Sequence, residues 1–109
     1  MTPISTHVLD TSLGKPAQGI RVVLEYGGAV IGSGMTDADG RVRDLVAEGT
    51  PIGEGDYRLT FSVAEYFTRG GRESFYSEIV VNFRIGAGSE RYHVPLLLSP
   101  FGYSTYRGS

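Results

Sequence analysis

Glu78-Ile79-Val80-Val81-Asn82-Phe83-Arg84-Ile85 changes side-chain character at every second residue. Ile79, Val81, Phe83 and Ile85 share one side of an extended chain, opposite Glu78, Val80, Asn82 and Arg84. A period of two marks a β-strand with one buried face, because successive side chains of a strand point to opposite sides. Working outward, Tyr57, Leu59, Phe61 and Val63 alternate with Arg58, Thr60 and Ser62, and Ile20, Val22, Leu24 and Tyr26 with Arg21, Val23 and Glu25. Tyr92, Val94, Leu96 and Leu98 alternate with Arg91, His93, Pro95 and Leu97. Turn signals separate the runs: Gly14-Lys15-Pro16, Gly27-Gly28, Asp39-Gly40, Gly53-Glu54-Gly55-Asp56, Gly86-Ala87-Gly88 and Ser99-Pro100. Shorter strands are expected over residues 5–10, 30–36, 41–46 and 103–107, and one helical turn over Ala64–Thr68 before the break at Gly70-Gly71. About eight strands at this spacing give an all-β sandwich or barrel.

A chain of 109 residues is expected to form a single domain, residues 1–109, with enough core to stand without covalent staples. It has no cysteine, hence no disulfide and no thiolate ligand. Its opening, Met1-Thr2-Pro3-Ile4-Ser5, lacks the basic patch and apolar run of a signal peptide, so a cytoplasmic location is expected. No apolar stretch approaches the roughly 20 residues of a membrane helix. The formal charge of −2 comes from interspersed groups with no basic stripe, so neither nucleic acid nor membrane is an expected partner. Nine of the ten basic residues are arginine, a side chain suited to clamping planar imides and ureas through paired N–H donors.

The two histidines fall on the outward faces. His7 shares its side with Ser5 and Leu9, opposite Ile4, Thr6 and Val8. His93 shares its side with Arg91, Pro95 and Leu97. Pro95 cannot donate to a ladder, which implies an edge, a bulge or an outward-facing nitrogen beside His93. Taken singly, each histidine is most simply a solvated surface group, Arg41 the residue after a turn, and the ending Tyr106-Arg107-Gly108-Ser109 a frayed tail. Yet Leu9, Val23, Val80 and Leu97 also occupy nominally outer faces, and outward apolar residues often meet another subunit. In a shared, partly dry interface, two imidazoles, a guanidinium and the tail would suit hydrolysis of a planar, oxygen-rich heterocycle.

Three segments in order resemble the 5-hydroxyisourate hydrolases, which are transthyretin-like proteins of purine catabolism. They are His7-Val8-Leu9-Asp10-Thr11-Ser12-Leu13-Gly14-Lys15-Pro16-Ala17, Thr36-Asp37-Ala38-Asp39-Gly40-Arg41, and Tyr92 to Pro100 followed by Tyr103-Ser104-Thr105-Tyr106-Arg107-Gly108-Ser109. The resemblance runs from about Ile4 to Ser109. It implies an eight-stranded two-sheet sandwich with one short helix, assembled as a homotetramer, a dimer of dimers, with sites in the channel between dimers. It also implies cofactor-free and metal-free opening of 5-hydroxyisourate by water, giving 2-oxo-4-hydroxy-4-carboxy-5-ureidoimidazoline. On it, His7, Arg41, His93 and Ser109 carry over as catalytic residues. His7, Arg41, His93, Tyr106, Arg107, Gly108 and Ser109 carry over as substrate-binding residues. His7 is favoured as the activator of water. Where many relatives place a histidine two residues before the one matched by His93, this chain has Arg91.

The rival readings are few. A transthyretin-type small-molecule carrier would use the same sandwich without turnover; the tail and both histidines argue against it. A metal-dependent hydrolase needs three protein ligands, and only a carboxylate such as Asp10 could join the histidines. A non-catalytic interaction sandwich is the reading from composition alone. Gly32-Ser33-Gly34 is neither a nucleophile elbow nor a phosphate loop.

Overall fold

A computed structural model describes residues 3–88 and 91–108. The strands are β1 (Ile4–Asp10), β2 (Lys15–Pro16), β3 (Arg21–Tyr26), β4 (Ala29–Met35), β5 (Gly55–Ser62), β6 (Glu78–Ile85), β7 (Tyr92–Ser99) and β8 (Gly102–Thr105). The helix α1 spans Ala64–Arg69. They form two four-stranded sheets, ordered β2-β1-β7-β8 and β4-β3-β5-β6. This is the expected two-sheet sandwich. No helix among the described residues is long and apolar enough to cross a membrane.

The alternation works as the sequence implies. In β1, Ile4, Thr6, Val8 and Asp10 are buried while Ser5, His7 and Leu9 are partly exposed. Val94, Leu96 and Leu98 of β7 face the same interior, where they meet Val22, Leu24, Leu59, Phe61, Ile79 and Val81 of the other sheet. Phe67 on α1 is 1% exposed and packs into this core. At roughly 2 kcal/mol for each large apolar side chain removed from water, such a core is the main stabilising contribution.

Two local expectations change. Residues 41–46 form no strand beyond a single bridge at Arg41. Asp44 sits at φ +53°, in the left-handed region, and the adjacent Leu45 and Val46 are both buried. Two neighbours buried together break a period of two, so the segment plugs the core instead of extending a sheet. Lys15–Pro16, expected within a turn, pairs with β1 through Leu9↔Pro16 and Asp10↔Lys15.

β1 and β7 run parallel down the middle of the first sheet, with Ser5↔His93 and His7↔Pro95 in register. Each has a short partner that covers only one end, β2 for β1 and β8 for β7. The uncovered stretches are completed by isolated antiparallel bridges, His7↔Arg41 and His93↔Gly108.

Pro95 explains the break between β8 and the tail. The pairs Leu97↔Ser104 and His93↔Gly108 belong to one antiparallel register, which would place Tyr106 opposite Pro95. That pair would need a donor from residue 95, and proline has none. Instead the Pro95 carbonyl accepts from Thr105 Oγ1 at 2.7 Å. The chain leaves the ladder at Tyr106 and rejoins at Gly108, whose N–H donates to the His93 carbonyl at 2.7 Å.

Candidate active site

Arg41, His7, Ser5 and His93 stand side by side on the outer face of the first sheet. Register alone requires this, since bridge partners and residues two apart along a strand share a face. Strand spacing puts the Cα atoms of His7 and His93 about 8 Å apart on the diagonal. Gly108 lies beyond His93, and Arg41 beyond His7.

The His7–Arg41 end is held by a turn that the sequence flagged only as a turn. The Asp37 carboxylate accepts from the N–H groups of Asp39 at 2.9 Å and Arg41 at 3.1 Å. The Arg41 main-chain N–H and the other donors and cations beside it hold this carboxyl below its ordinary value, against a smaller effect of burial. Val8 N–H donates to the Gly40 carbonyl at 2.8 Å, which locks the turn onto β1. Gly40 has φ +77°, and a Cβ there would meet the Val8 carbonyl oxygen at 2.3 Å. Only glycine meets both demands.

Each imidazole has one nitrogen tied and one open. His7 Nε2 lies 2.7 Å from the Asp39 carbonyl oxygen. A carbonyl only accepts, so Nε2 carries the proton and Nδ1 is the lone pair of the neutral ring. His93 Nδ1 lies 2.8 Å from Ser5 Oγ, and its Nε2 makes no hydrogen bond among the described residues. Burial, then the Arg41 and His7 charges, push His93 below the ordinary histidine value, against a smaller opposing effect of the Ser5 main chain. His93 is therefore neutral at pH 7.

The tail closes the far side. A Cβ on Gly108 would lie 2.6 Å from His93 Cδ2, so the glycine is required by contact with the ring. The Arg107 guanidinium stacks 4.4 Å over the Tyr92 ring. Tyr106 is 57% exposed and lines a groove of about 290 Å³ with Phe83, Arg84, Tyr92 and Arg107. On the other side, a cleft of about 450 Å³ runs past Ser5, Asp39 and Arg41. Ser109, expected at the site, lies outside the described residues.

Sequence reasoning thus named His7, Arg41, His93 and Gly108, and the structure brings them together. Tyr106 and Arg107 sit at the rim. Ser5, the Asp39 carbonyl and the Asp37 carboxylate were missed. Ser5 shares a face with His7 in the sequence pattern, but its partner is 88 residues away in the chain. Asp10 does not join the histidines. It is fully buried on the opposite face of β1 and engaged by Arg72 at 2.6 Å, Tyr66 at 2.7 Å and Ser12 Oγ at 2.6 Å. No group of three His, Cys, Asp or Glu placed to hold a metal ion occurs among the described residues.

The chain matches the HIUase/Transthyretin family over residues 4–108. It is 47% identical over 110 residues to the 5-hydroxyisourate hydrolase of Salmonella typhi, covering 97% of this chain and 80% of that one. Among solved structures, the 5-hydroxyisourate hydrolase of Klebsiella pneumoniae superposes with TM-score 0.86 at 40% identity, over 97% of this chain and 92% of that one. Sea bream transthyretin in complex with thyroxine superposes with TM-score 0.88 at 31% identity, over 98% and 95%.

Proposed function

Because the chain belongs to the HIUase/Transthyretin family, and its relatives make it a hydroxyisourate hydrolase, we propose that it opens 5-hydroxyisourate by histidine-assisted attack of water on the ring amide. The observation that carries this mechanism is the pair of imidazoles on one open face beside Arg41, each with one nitrogen tied and the other unengaged among the described residues.

Water attacks the amide carbonyl carbon while His7 Nδ1 takes one of its protons. His93 Nε2 accepts a hydrogen bond from the same water and aims its lone pair. The carbonyl oxygen becomes an oxyanion, stabilised by the Arg41 guanidinium, a role worth roughly 3–4 kcal/mol for one well-placed donor. Collapse breaks the carbon–nitrogen bond, and imidazolium His7 returns its proton to the departing ring nitrogen. The new carboxylic acid ionises, giving 2-oxo-4-hydroxy-4-carboxy-5-ureidoimidazoline. Tyr106 and Arg107 shape the pocket, Ser109 hydrogen-bonds water or substrate, and Gly108 lets the tail lie against His93. Water, the amide and these side chains complete the balance without a cofactor.

In a single copy this face is open: Arg41 is exposed and both histidines are only half-buried. A second copy would roof it and exclude bulk water, which favours a homotetramer built as a dimer of dimers with the site at the junction. The cytoplasm is the expected setting.

The test is decay of 5-hydroxyisourate freshly made by urate oxidase, followed in the ultraviolet against its spontaneous decay. Strong acceleration that is lost in His7→Ala and His93→Ala supports the mechanism. Decay at the spontaneous rate by the folded protein overturns it and leaves a carrier of the transthyretin kind, to be tested by binding without turnover.

A further inference from the structure

Among the described residues, Ser5 is the one side chain that hydrogen-bonds the His93 ring. The two residues face each other in the parallel register of β1 and β7, so the contact is set by main-chain pairing and not by a mobile loop. On its other edge the ring abuts Gly108, where even a methyl group would collide with Cδ2. The imidazole is thus clamped between a hydroxyl at Nδ1 and bare backbone at Cδ2, and its outer nitrogen is the unengaged one.

We propose that Ser5 is a positioning residue that holds neutral His93 in its Nδ1–H form, leaving Nε2 as the lone pair presented to the attacking water. A hydroxyl can donate or accept, so the distance to Ser5 Oγ leaves two arrangements open. The open nitrogen resolves them: the attacking water needs an acceptor at the unengaged Nε2, and only the arrangement in which Nδ1–H donates to Ser5 Oγ leaves a lone pair there. The nitrogen that is tied fixes the character of the other. Without the hydroxyl, the ring can exchange its tautomers, and the Nε2–H form points a donor where the water needs an acceptor.

This assignment rests on the hydrolase reading for its catalytic meaning, and the experiment separates the two. The protein is labelled with ¹⁵N-histidine, and the His93 tautomer is read from its ring nitrogens near pH 7.5 in wild type, Ser5→Ala and Ser5→Thr. The same three proteins are assayed on 5-hydroxyisourate. The expected result is an Nδ1-protonated His93 in wild type and Ser5→Thr and a mixed tautomer in Ser5→Ala. Ser5→Ala should lose about tenfold in kcat with KM little changed, as one hydrogen bond implies, and Ser5→Thr should recover it. An Nε2-protonated ring in wild type, or a Ser5→Ala spectrum identical to wild type, overturns the assignment. If wild type lacks hydrolase activity while Ser5→Ala still releases the tautomer, the hydrolase mechanism fails and the ring-orienting role of Ser5 stands.

Discussion

Gly108 meets His93 in two ways: its N–H donates to the His93 carbonyl at 2.7 Å, and its lack of a Cβ leaves room for the imidazole edge. One residue therefore ties the tail to the strand and sets the position of a candidate catalytic ring. In Gly108→Ala the added methyl would have to move Cδ2 from 2.6 Å. The expected outcome is a loss of about 10²-fold in kcat, the scale of a 1 Å misplacement. Thermal unfolding should change by less than about 1 kcal/mol, since the residue meets the sheet at one isolated bridge. Steady-state kinetics and calorimetry on the same sample check both parts.

Deleting Tyr106–Ser109 removes the tail but none of the paired strands, because β8 ends at Thr105. The truncated protein should fold with its sheet intact and lose turnover. Normal turnover by a truncated protein with unchanged circular dichroism would remove the tail from the mechanism.

Gly40→Ala should act at the other end of the site. Its methyl would strike the Val8 carbonyl and force a left-handed residue to carry a side chain. A cost of about 1–3 kcal/mol follows from the backbone alone. Activity should fall further than stability predicts, because the same turn positions Arg41 and the Asp39 carbonyl that ties His7. Denaturant unfolding and kcat/KM, compared across the variant and wild type, separate the two effects.

His93 should titrate below the ordinary histidine value, first because it is buried and second because Arg41 faces it. Arg41→Gln should raise its pKa, and histidine proton NMR across pH 4–8 reads the change. The sign for stability follows. As pH falls through about 6.5, the unfolded chain takes up this proton before the folded one does, so folding loses stability from there down to the folded pKa. A His93 pKa that is unchanged in Arg41→Gln would mean that the guanidinium points away from the ring.

Asp10 makes the opposite prediction at acid pH. Burial raises its pKa, but Arg72, Ser12, Tyr66 and the Leu13 N–H outweigh that and hold it at about 2. Its ionised form therefore contributes stability above the unfolded value near 4, and this is lost as pH falls through the folded value. The loss amounts to about 2 kcal/mol, since each tenfold change in proton affinity is worth roughly 1.4 kcal/mol. Urea midpoints measured from pH 5 to pH 2 should fall more steeply in wild type than in Asp10→Asn, although the variant starts lower. Equal slopes would show that Asp10 is not the group titrating.

The sheet architecture was legible because most strands have one wet face and one dry one, as in Ile79–Ile85. Residues 41–46 were not, because Asp44 turns left-handed and Leu45 and Val46 bury side by side. The outward placement of His7 and His93 followed from counting along each strand. Their convergence did not, because nothing local states that β1 and β7 lie parallel with Ser5 against His93. The Asp39 contact to His7 uses a main-chain carbonyl, which no side-chain pattern can announce. The three-motif resemblance supplied what periodicity could not, namely the expectation that these distant segments share one site.

Pro95 divides the last antiparallel pair into two independent lengths. Below it, β8 is stitched into the sheet and must match its neighbour residue by residue. Above it, Tyr106 and Arg107 lie between the end of β8 and the bridge from Gly108 to His93. Substitutions at those two positions are therefore expected to leave the register of β8 unchanged, because the proline has already ended that ladder.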